Sequence, residues 1–152
     1  MNYWLMKSEP DAFSIDDLKA RSKGVEPWDG IRNYQVRNML RDEMKRGDLA
    51  FFYHSNCKPP AIVGIMKIVK EGYPDHTAFD PDAKYFDPKS DPEQPRWYMV
   101  DVKYVRHLKR PITLAELKQD STLTDFALTK KGSRLSILPV TPQQWEYILS
   151  LE

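Results

Sequence analysis

The segment GDLAFFYHSN (residues 47–56) decides the fold. Residues 49–53 are apolar at every position, so we predict a central strand that is buried on both faces of its sheet. The strand then ends in a run of four polar-capable side chains, from Tyr53 through Asn56. Because the ends of rigid elements position binding groups well, we expect a functional site where this strand ends.

Helices and further strands surround the central strand. Three helix starts carry a Ser or Thr followed three residues later by Asp, Glu or Gln, which is the capping pattern of a helix N-terminus. The order of elements lacks regular βαβ alternation, so we predict one α+β domain over residues 1–152, with a mixed or antiparallel sheet that curls toward a barrel. The predicted helices are 14–21, 32–45, 113–119 and 142–150, and the further strands are 3–6, 61–68, 97–105 and 135–140.

Composition excludes several classes of protein. Of the 152 residues, 41% are apolar and 30% are charged, as in ordinary globular domains. No apolar run approaches the ~18 residues of a membrane span, and the first eleven residues lack the apolar region of a signal peptide. The one cysteine, Cys57, excludes an intrachain disulfide and fits a reducing compartment. We therefore expect a cytoplasmic protein without a membrane partner.

The charge is unevenly distributed. The chain has a net charge of +1, but residues 71–95 have a net charge of −5 and the remainder +6. A moderately basic body is compatible with nucleic acid, although not with strong nonspecific binding to phosphates. We predict that residues 71–96, with five prolines, form a long ordered loop. Its aromatic residues, Tyr73, Phe79, Tyr85 and Phe86, are expected to hold it to the body.

Catalytic patterns are sparse. His54 and Cys57 are three residues apart and could form a nucleophilic thiol–imidazole pair, but no third group is indicated to orient them. The sequence lacks the ligand spacing of a zinc site, a glycine-rich phosphate loop and the Gly-x-Ser-x-Gly elbow of hydrolases. We expect neither a metal nor a cofactor.

A binding site is better supported, because aromatic and polar residues recur at the ends of the predicted elements. Aromatic faces beside hydroxyl, amide, carboxylate and guanidinium groups are what a planar heterocycle needs for stacking and for hydrogen bonds to its edge. Each residue alone also fits a half-buried core position or a turn. The segments concerned are 7–9 and 53–55, with Trp28, Trp97, Arg134 and Ser136.

The segment WDGIRNYQVRN (28–38) contains a misplaced charge. Arg32 falls in the first turn of the predicted helix, where a cation opposes the helix dipole by about 0.3–1 kcal/mol. We expect the guanidinium to meet a carboxylate, either Glu9 or Asp29, or a phosphate of nucleic acid.

Six segments together resemble the EVE domain family over nearly the whole chain. The resemblance implies a PUA-like fold, with a β-barrel core surrounded by helices, related to YTH and SRA domains. It also implies a non-enzymatic module that recognises a modified, flipped base in DNA or RNA. The segments are YWLMKSEPDAFSIDDL (3–18), WDGIRNYQVRN (28–38), GDLAFFYHSN (47–56), PAIVGIMKIV (60–69), DPKSDPEQPRWYMVDV (87–102) and RLSILPVT (134–141).

The resemblance also implies roles for the residues at the element ends. Trp28 would stack on the base or line its pocket, and Trp97 would line the pocket or belong to the core. Arg32 and Asn33 would face the pocket mouth. The other implied site residues are Lys7, Ser8 and Glu9 at the floor or rim, Tyr53, His54 and Ser55 on one side, and Arg134 and Ser136 on the far side.

Two alternatives remain open from the sequence. The pocket could bind a free nucleoside or another small heterocyclic metabolite, or the chain could be a hydrolase or nuclease that uses His54 and Cys57. The simplest expectation is a compact bacterial protein that acts as a monomer. The residues do not indicate whether the target is DNA or RNA, or which modification it has.

Overall fold

One six-stranded sheet organises the protein. The computed structural model describes residues 1–131 and 134–152. The strands are β1 (Tyr3–Ser8), β2 (Val25–Pro27), β3 (Leu49–His54), β4 (Ala61–Pro74), β5 (Tyr98–Thr113) and β6 (Ile137–Val140).

The sheet is mixed, as the sequence predicts. Its strand order is β2-β5-β4-β3-β1-β6; β1 and β3 are parallel, and the other neighbours are antiparallel. Register shifts along β4 and β5 interrupt the ladder, as expected for bulged strands that bend. Within the described residues the sheet stays open, with β2 and β6 at its edges. The short strand β2 was not predicted, because three residues ending in proline give no strand pattern.

Four short α-helices flank the sheet in the part of the chain that the structure describes. All three predicted capping boxes are present, at Ser14, Thr113 and Thr141. None of the helices described is long and apolar enough to cross a membrane. The helices are α1 (Ile15–Ala20), α2 (Tyr34–Asn38), α3 (Leu114–Gln119) and α4 (Pro142–Ser150).

The helix predicted over 32–45 is shorter than expected. Asn33 is its N-cap and accepts a hydrogen bond from the Val36 amide at 3.0 Å, so α2 begins at Tyr34. Arg32 therefore lies before the cap, and the predicted conflict with the helix dipole does not arise. After Asn38 the chain continues as one π-helical turn, Met39–Glu43.

The sheet separates two hydrophobic cores. The core that we call the front core contains Met6 and Phe52 and packs against α1 and α2. The rear core contains Leu5, Phe51 and Tyr53 and packs against α3 and α4. Successive residues of β1 and β3 alternate between these cores, as the period of two requires. The central strand is thus buried on both faces, which confirms the prediction from residues 49–53.

The parallel pair determines where polar groups gather. Ser8 at the end of β1 is paired with His54 at the end of β3. The residues that follow the two strands therefore lie together, at one end of the central strands. Ser55 continues this ladder, because its amide donates to the Ser8 carbonyl at 3.0 Å. The site described below lies at this end of the central strands.

Asp48, at the opposite end of the strand pair β1 and β3, allows a test of stability. The buried Asp48 carboxylate accepts hydrogen bonds from Trp4 Nε1 at 3.0 Å and from the amides of Asn2 and Lys45 at 3.0 and 2.9 Å. Asp48→Ala should lower the free energy of unfolding by roughly 3–6 kcal/mol, because three donors lose their acceptor. Urea denaturation measures this change. Asp125→Ala removes an exposed carboxylate and should change it little; equal effects of the two substitutions would contradict this account.

Candidate functional site

A cleft of about 690 Å³ opens where β1 and β3 end, on the front face of the sheet. We call it the front cleft. Its volume lies within the ~300–1,000 Å³ typical of ligand sites. Side chains from segments far apart in the chain line it. Seven of the residues predicted from the sequence are among them: Lys7, Ser8, Glu9, Trp28, Ser55, Arg134 and Ser136.

Backbone hydrogen bonds hold the floor of the front cleft. The Lys7 amide donates to the Ser136 carbonyl at 2.8 Å, which joins β1 to the segment before β6. Ser8 Oγ donates to the Phe13 carbonyl at 2.6 Å and fixes the turn that leads to α1. These contacts bring three serines, Ser8, Ser55 and Ser136, to the lining of one opening.

Trp28 lines the cleft but is largely buried. The residue is 7% exposed, and its ring packs edge-on against Phe13 and Phe52, with ring centroids 6.3 and 5.5 Å away. The Trp28 amide donates to the Val100 carbonyl at 2.8 Å. Trp28 therefore forms a rigid side of the cleft and offers only a small area of its ring to a ligand.

Tyr85 is the more exposed aromatic residue of the front cleft. It is 39% exposed and comes from the long segment between β4 and β5. Its ring lies directly against Gly30, where a Cβ atom would be 2.5 Å from Tyr85 Cδ2. Gly30 also has a positive φ of 82°, so glycine satisfies both the backbone and the close approach.

A buried ion pair holds these two sides of the cleft together. The Asp75 carboxylate, 0% exposed, accepts from Arg32 Nη1 at 3.0 Å and from the Gly30 amide at 2.9 Å. Thr77 donates to the other oxygen through its amide at 2.9 Å and its hydroxyl at 2.6 Å. Arg32 Nε and Nη2 donate to the Tyr85 carbonyl at 2.9 and 2.7 Å. One carboxylate and one guanidinium thus position both Gly30 and Tyr85.

This network corrects the expected partner of Arg32, which is Asp75 and neither Glu9 nor Asp29. The guanidinium also lies 5.7 Å from the centroid of the Trp97 ring. Burial raises the pKa of Asp75, but hydrogen bonds from Thr77, Gly30 and Arg32 outweigh burial, so the net pKa is lowered. Asp75 therefore stays ionised to a lower pH than an ordinary aspartate.

The formal charges lining the front cleft balance. Glu9, Glu26 and Asp29 face Lys7, Lys84 and Arg134. Two of the carboxylates have partners: Glu9 accepts from the Asn56 amide group at 3.1 Å, and Glu26 is paired with Arg21 at 2.8 Å. Asp29 reaches solvent, but partial desolvation by the cleft and then the negative charge of Asp75 raise its pKa.

Five predicted site residues lie outside the front cleft. Arg32 and Asn33 act behind it, as the ion-pair partner of Asp75 and as the cap of α2. Trp97 is buried, stacks on Tyr34 at 4.8 Å and donates to Asp87 at 2.6 Å, so it anchors the long segment. Tyr53 points to the rear core, because it is one residue from Phe52 on an alternating strand.

His54, the fifth, has a structural partner that argues against nucleophilic chemistry. Its Nε2 accepts from the Ile15 amide at 3.1 Å, so it caps the start of α1. Burial lowers the pKa of His54, which favours the neutral ring. The Cys57 thiol contacts the backbone carbonyls of His54 and Pro59, and no hydrogen bond links it to the imidazole in the described residues. Those residues also contain no cluster of three potential metal ligands.

Other residues of the front cleft were not predicted. Tyr85 is expected from the sequence only to hold the long loop to the body. Glu26 and Asp29 stand in turns or short strands, where carboxylates are common and uninformative. Asp29-Gly30 is a turn signal, but nothing in the sequence connects it with Asp75 or Tyr85, more than forty positions away. The unpredicted lining residues are Ala12, Phe13, Glu26, Pro27, Asp29, Gly30, Ile31, Lys84 and Tyr85.

Comparisons with known proteins give a consistent result. The EVE domain family model matches residues 2–151. Thymocyte nuclear protein 1 of Mus musculus is 51% identical over 168 residues, which cover 99% of this chain and 74% of the mouse protein. A Pseudomonas syringae crystal structure is 54% identical, with a TM-score of 0.92 and 98% of each chain covered. A crystal structure of human THYN1 protein in complex with 5-methylcytosine-containing DNA is 50% identical, with a TM-score of 0.91, covering 99% of this chain and 97% of that chain.

The Asp75 network can be tested through stability. Asp75→Asn should lower the free energy of unfolding at neutral pH by about 3 kcal/mol, toward the lower end of the cost of breaking a buried pair, because Arg32 is 22% exposed. The lowered pKa means that the ionised carboxylate stabilises the fold above the unfolded-state pKa of about 3.9 and loses this effect as the pH falls through the folded-state pKa.

Urea denaturation at neutral and acidic pH measures the free energy of unfolding and so tests both predictions. The difference between Asp75→Asn and the original chain should shrink in acid. Asp82→Asn, an exposed change in the same segment, should leave the curve unchanged at both pH values. A constant difference across pH would show that Asp75 does not act through its charge.

Proposed function

Because the chain belongs to the EVE domain family, we propose that it is a non-enzymatic module that binds a modified base of nucleic acid in its front cleft, with 5-methylcytosine in DNA as the first candidate. The observation that carries the proposal is the convergence of the exposed Tyr85 ring, Trp28 and three serines on one cleft of about 690 Å³. The human relative crystallised with 5-methylcytosine-containing DNA supports the choice of modification.

The polar lining suits the edge of a cytosine. The exocyclic N4 amino group of cytosine is a donor that Asp and Glu side chains accept, and Asp29 supplies a carboxylate at the cleft. The Ser55 and Ser136 hydroxyls can donate to the ring nitrogen and the carbonyl of the same base, whereas the Ser8 proton is already donated to Phe13. Thymine and uracil present a carbonyl where cytosine has the amino group, which a carboxylate would repel.

Energies limit how the base is selected. Extruding a paired base costs a few kcal/mol, whereas stacking on one aromatic ring returns ~1–3 kcal/mol. Burying one added methyl contributes ~0.8 kcal/mol, or roughly fourfold in affinity. Base identity must therefore come mainly from edge hydrogen bonds, and unpaired or weakly paired targets should bind best.

The structure offers the hydrolase or nuclease alternative little support. The His54 imidazole caps α1, and the Cys57 thiol faces backbone carbonyls, so this pair does not resemble an activated nucleophile. We accordingly propose binding without turnover. The second candidate, a free nucleoside, is favoured by the balanced charge of the front cleft, and the experiments below include it.

Tyr85 provides the most direct test of the cleft. Tyr85→Ala should weaken binding to a single-stranded DNA with one central 5-methylcytosine by ~1–3 kcal/mol, because stacking is lost. Fluorescence anisotropy at fixed salt measures this affinity. Phe86→Ala is the matched control, because Phe86 is 38% exposed and adjacent but does not line the cleft. Loss of affinity in both variants, or in neither, would sink the assignment of Tyr85 as the stacking ring.

Asp29 provides a pH test of the same cleft. The carboxylate must be ionised to accept from an amino group, so affinity should fall as the pH drops through the pKa of Asp29, which lies above its ordinary value. Asp29→Asn should weaken binding at neutral pH and flatten this pH dependence. The same titration with RNA and with unmodified DNA ranks the targets. An unchanged pH profile in the variant would remove Asp29 from the edge contacts.

A further inference from the structure

A second cleft of about 800 Å³ opens on the rear face of the sheet. We call it the rear cleft; it lies between the end of β3, α3 and the segment that follows α3. Lys7 and Ser55 line both the rear and the front cleft. The two openings therefore meet where the parallel strands β1 and β3 end.

The rear cleft is strongly cationic. Lys7, Lys118, Lys130 and Lys131 line it, and none of them forms an ion pair within the described residues. The carboxylate among the lining residues is that of Asp120, and both its oxygens are occupied. Oδ2 accepts from the Tyr147 hydroxyl at 2.7 Å, and Oδ1 accepts from the Thr122 amide at 2.9 Å. Asp120 keeps its negative charge, so the four lysines of this lining are opposed by one carboxylate.

Tyr53 adds a neutral donor at the base of the rear cleft. The residue is 3% exposed, and its hydroxyl makes no hydrogen bond within the described residues, so the oxygen keeps contact with solvent in the cleft. Burial raises the pKa of Tyr53 to about 12, so the hydroxyl keeps its proton at neutral pH and can donate. Lys7 is half-buried, and its pKa is lowered by that burial, which an anion nearby would oppose. A tyrosine O–H and several ammonium groups around one opening suit a phosphate oxygen.

The two clefts differ in the ligand chemistry that they favour. The lining of the front cleft has balanced formal charges, which suits an uncharged base, whereas the rear lining has an excess of three positive charges, which suits an anion. We propose that the rear cleft binds the phosphodiester backbone of the strand whose modified base occupies the front cleft. Lys7, which lines both openings, contacts the phosphate next to the bound base. This inference rests on the function proposed above.

A free phosphate ion is a weaker explanation of the rear cleft. Residues of α3 and of the segment 120–131 line the cleft together, and its volume of about 800 Å³ far exceeds that of one phosphate group. Its continuity with the front cleft gives a strand a direct path from one to the other. Phosphate contacts position a strand without reading its sequence, so this cleft should contribute affinity and salt dependence, not base selectivity.

The test combines Lys118→Gln and Lys130→Gln in one chain. Affinity for a short single-stranded DNA with one central 5-methylcytosine is measured over a series of salt concentrations. If each lysine neutralises one phosphate, the slope of log affinity against log salt should become shallower by about 1.4, because each single-strand contact contributes ~0.7. The preference for the methylated over the unmethylated strand should stay the same. Lys103→Gln with Lys109→Gln is the control, since these exposed lysines line neither cleft and should leave the slope unchanged.

The nucleoside 5-methyl-2′-deoxycytidine separates the backbone from the base. It has no phosphate, so the double variant should bind it as the original chain does. Equal losses for nucleoside and strand would mean that the lysines act on the front cleft, and would overturn the proposal. Inorganic phosphate should compete weakly with the strand; competition as strong as that of an unmodified oligonucleotide would indicate a free-phosphate site instead.

Tyr53→Phe tests the same cleft with little change in packing. The loss of one hydroxyl should weaken strand binding about fivefold, as for one hydrogen bond, and leave nucleoside binding unchanged. The outcomes also separate the two proposals. A strand bound without preference for the modified base, but with a slope that depends on Lys118 and Lys130, would remove the base-reading function and keep the rear cleft. If the chain prefers the methylated strand but the salt slope is the same without Lys118 and Lys130, the base-reading function is kept and the rear cleft is removed. If no strand binds, both proposals are wrong.

Discussion

The carboxylate of Asp75 is the constraint on which the front cleft depends. It is fully buried, and it accepts hydrogen bonds from Gly30, Arg32 and Thr77. Residues 75–97 form a long connection with little regular structure, and such a segment loses conformational entropy when it is ordered. The Asp75–Arg32 pair offsets that cost locally, and Arg32 then holds the backbone of Tyr85. This pair thus fixes the turn that contains Gly30 relative to the backbone of Tyr85, whose ring packs directly against Gly30.

The parallel strands β1 and β3 supply the other, more rigid half of the site. Their ends place Ser8 beside His54, and the following residues lie between two clefts on opposite faces of the sheet. The formal charges of the lining residues differ between the two clefts. A neutral cleft with carboxylates and hydroxyls favours the edge of a base, and a lysine-lined cleft favours phosphate. The small net charge of the whole chain hides this division.

Much of the fold follows from local sequence. The apolar run at 49–53 and the capping boxes at Ser14, Thr113 and Thr141 depend on neighbouring residues, so they could be predicted, and the structure confirms them. The partner of Arg32 could not be predicted in the same way, because Asp75 lies 43 positions away and looks like any acid in a loop. The sequence did not show that Tyr53 and Trp28 lie on opposite faces of the sheet. The face that Tyr53 occupies depends on the strand register, because a shift by one residue moves every side chain of a strand to the other face. Tyr85 gave no signal beyond being an aromatic residue in a long loop.

The most direct measurement is a crystal structure of this chain with a short DNA strand that contains one 5-methylcytosine. The account predicts that the methylated ring lies in the front cleft against Tyr85, with its amino group facing a carboxylate and with the adjoining phosphates near Lys7 and Lys118. A methylated base that stays stacked within the strand, or that binds on another surface while the front cleft is unchanged, would contradict it.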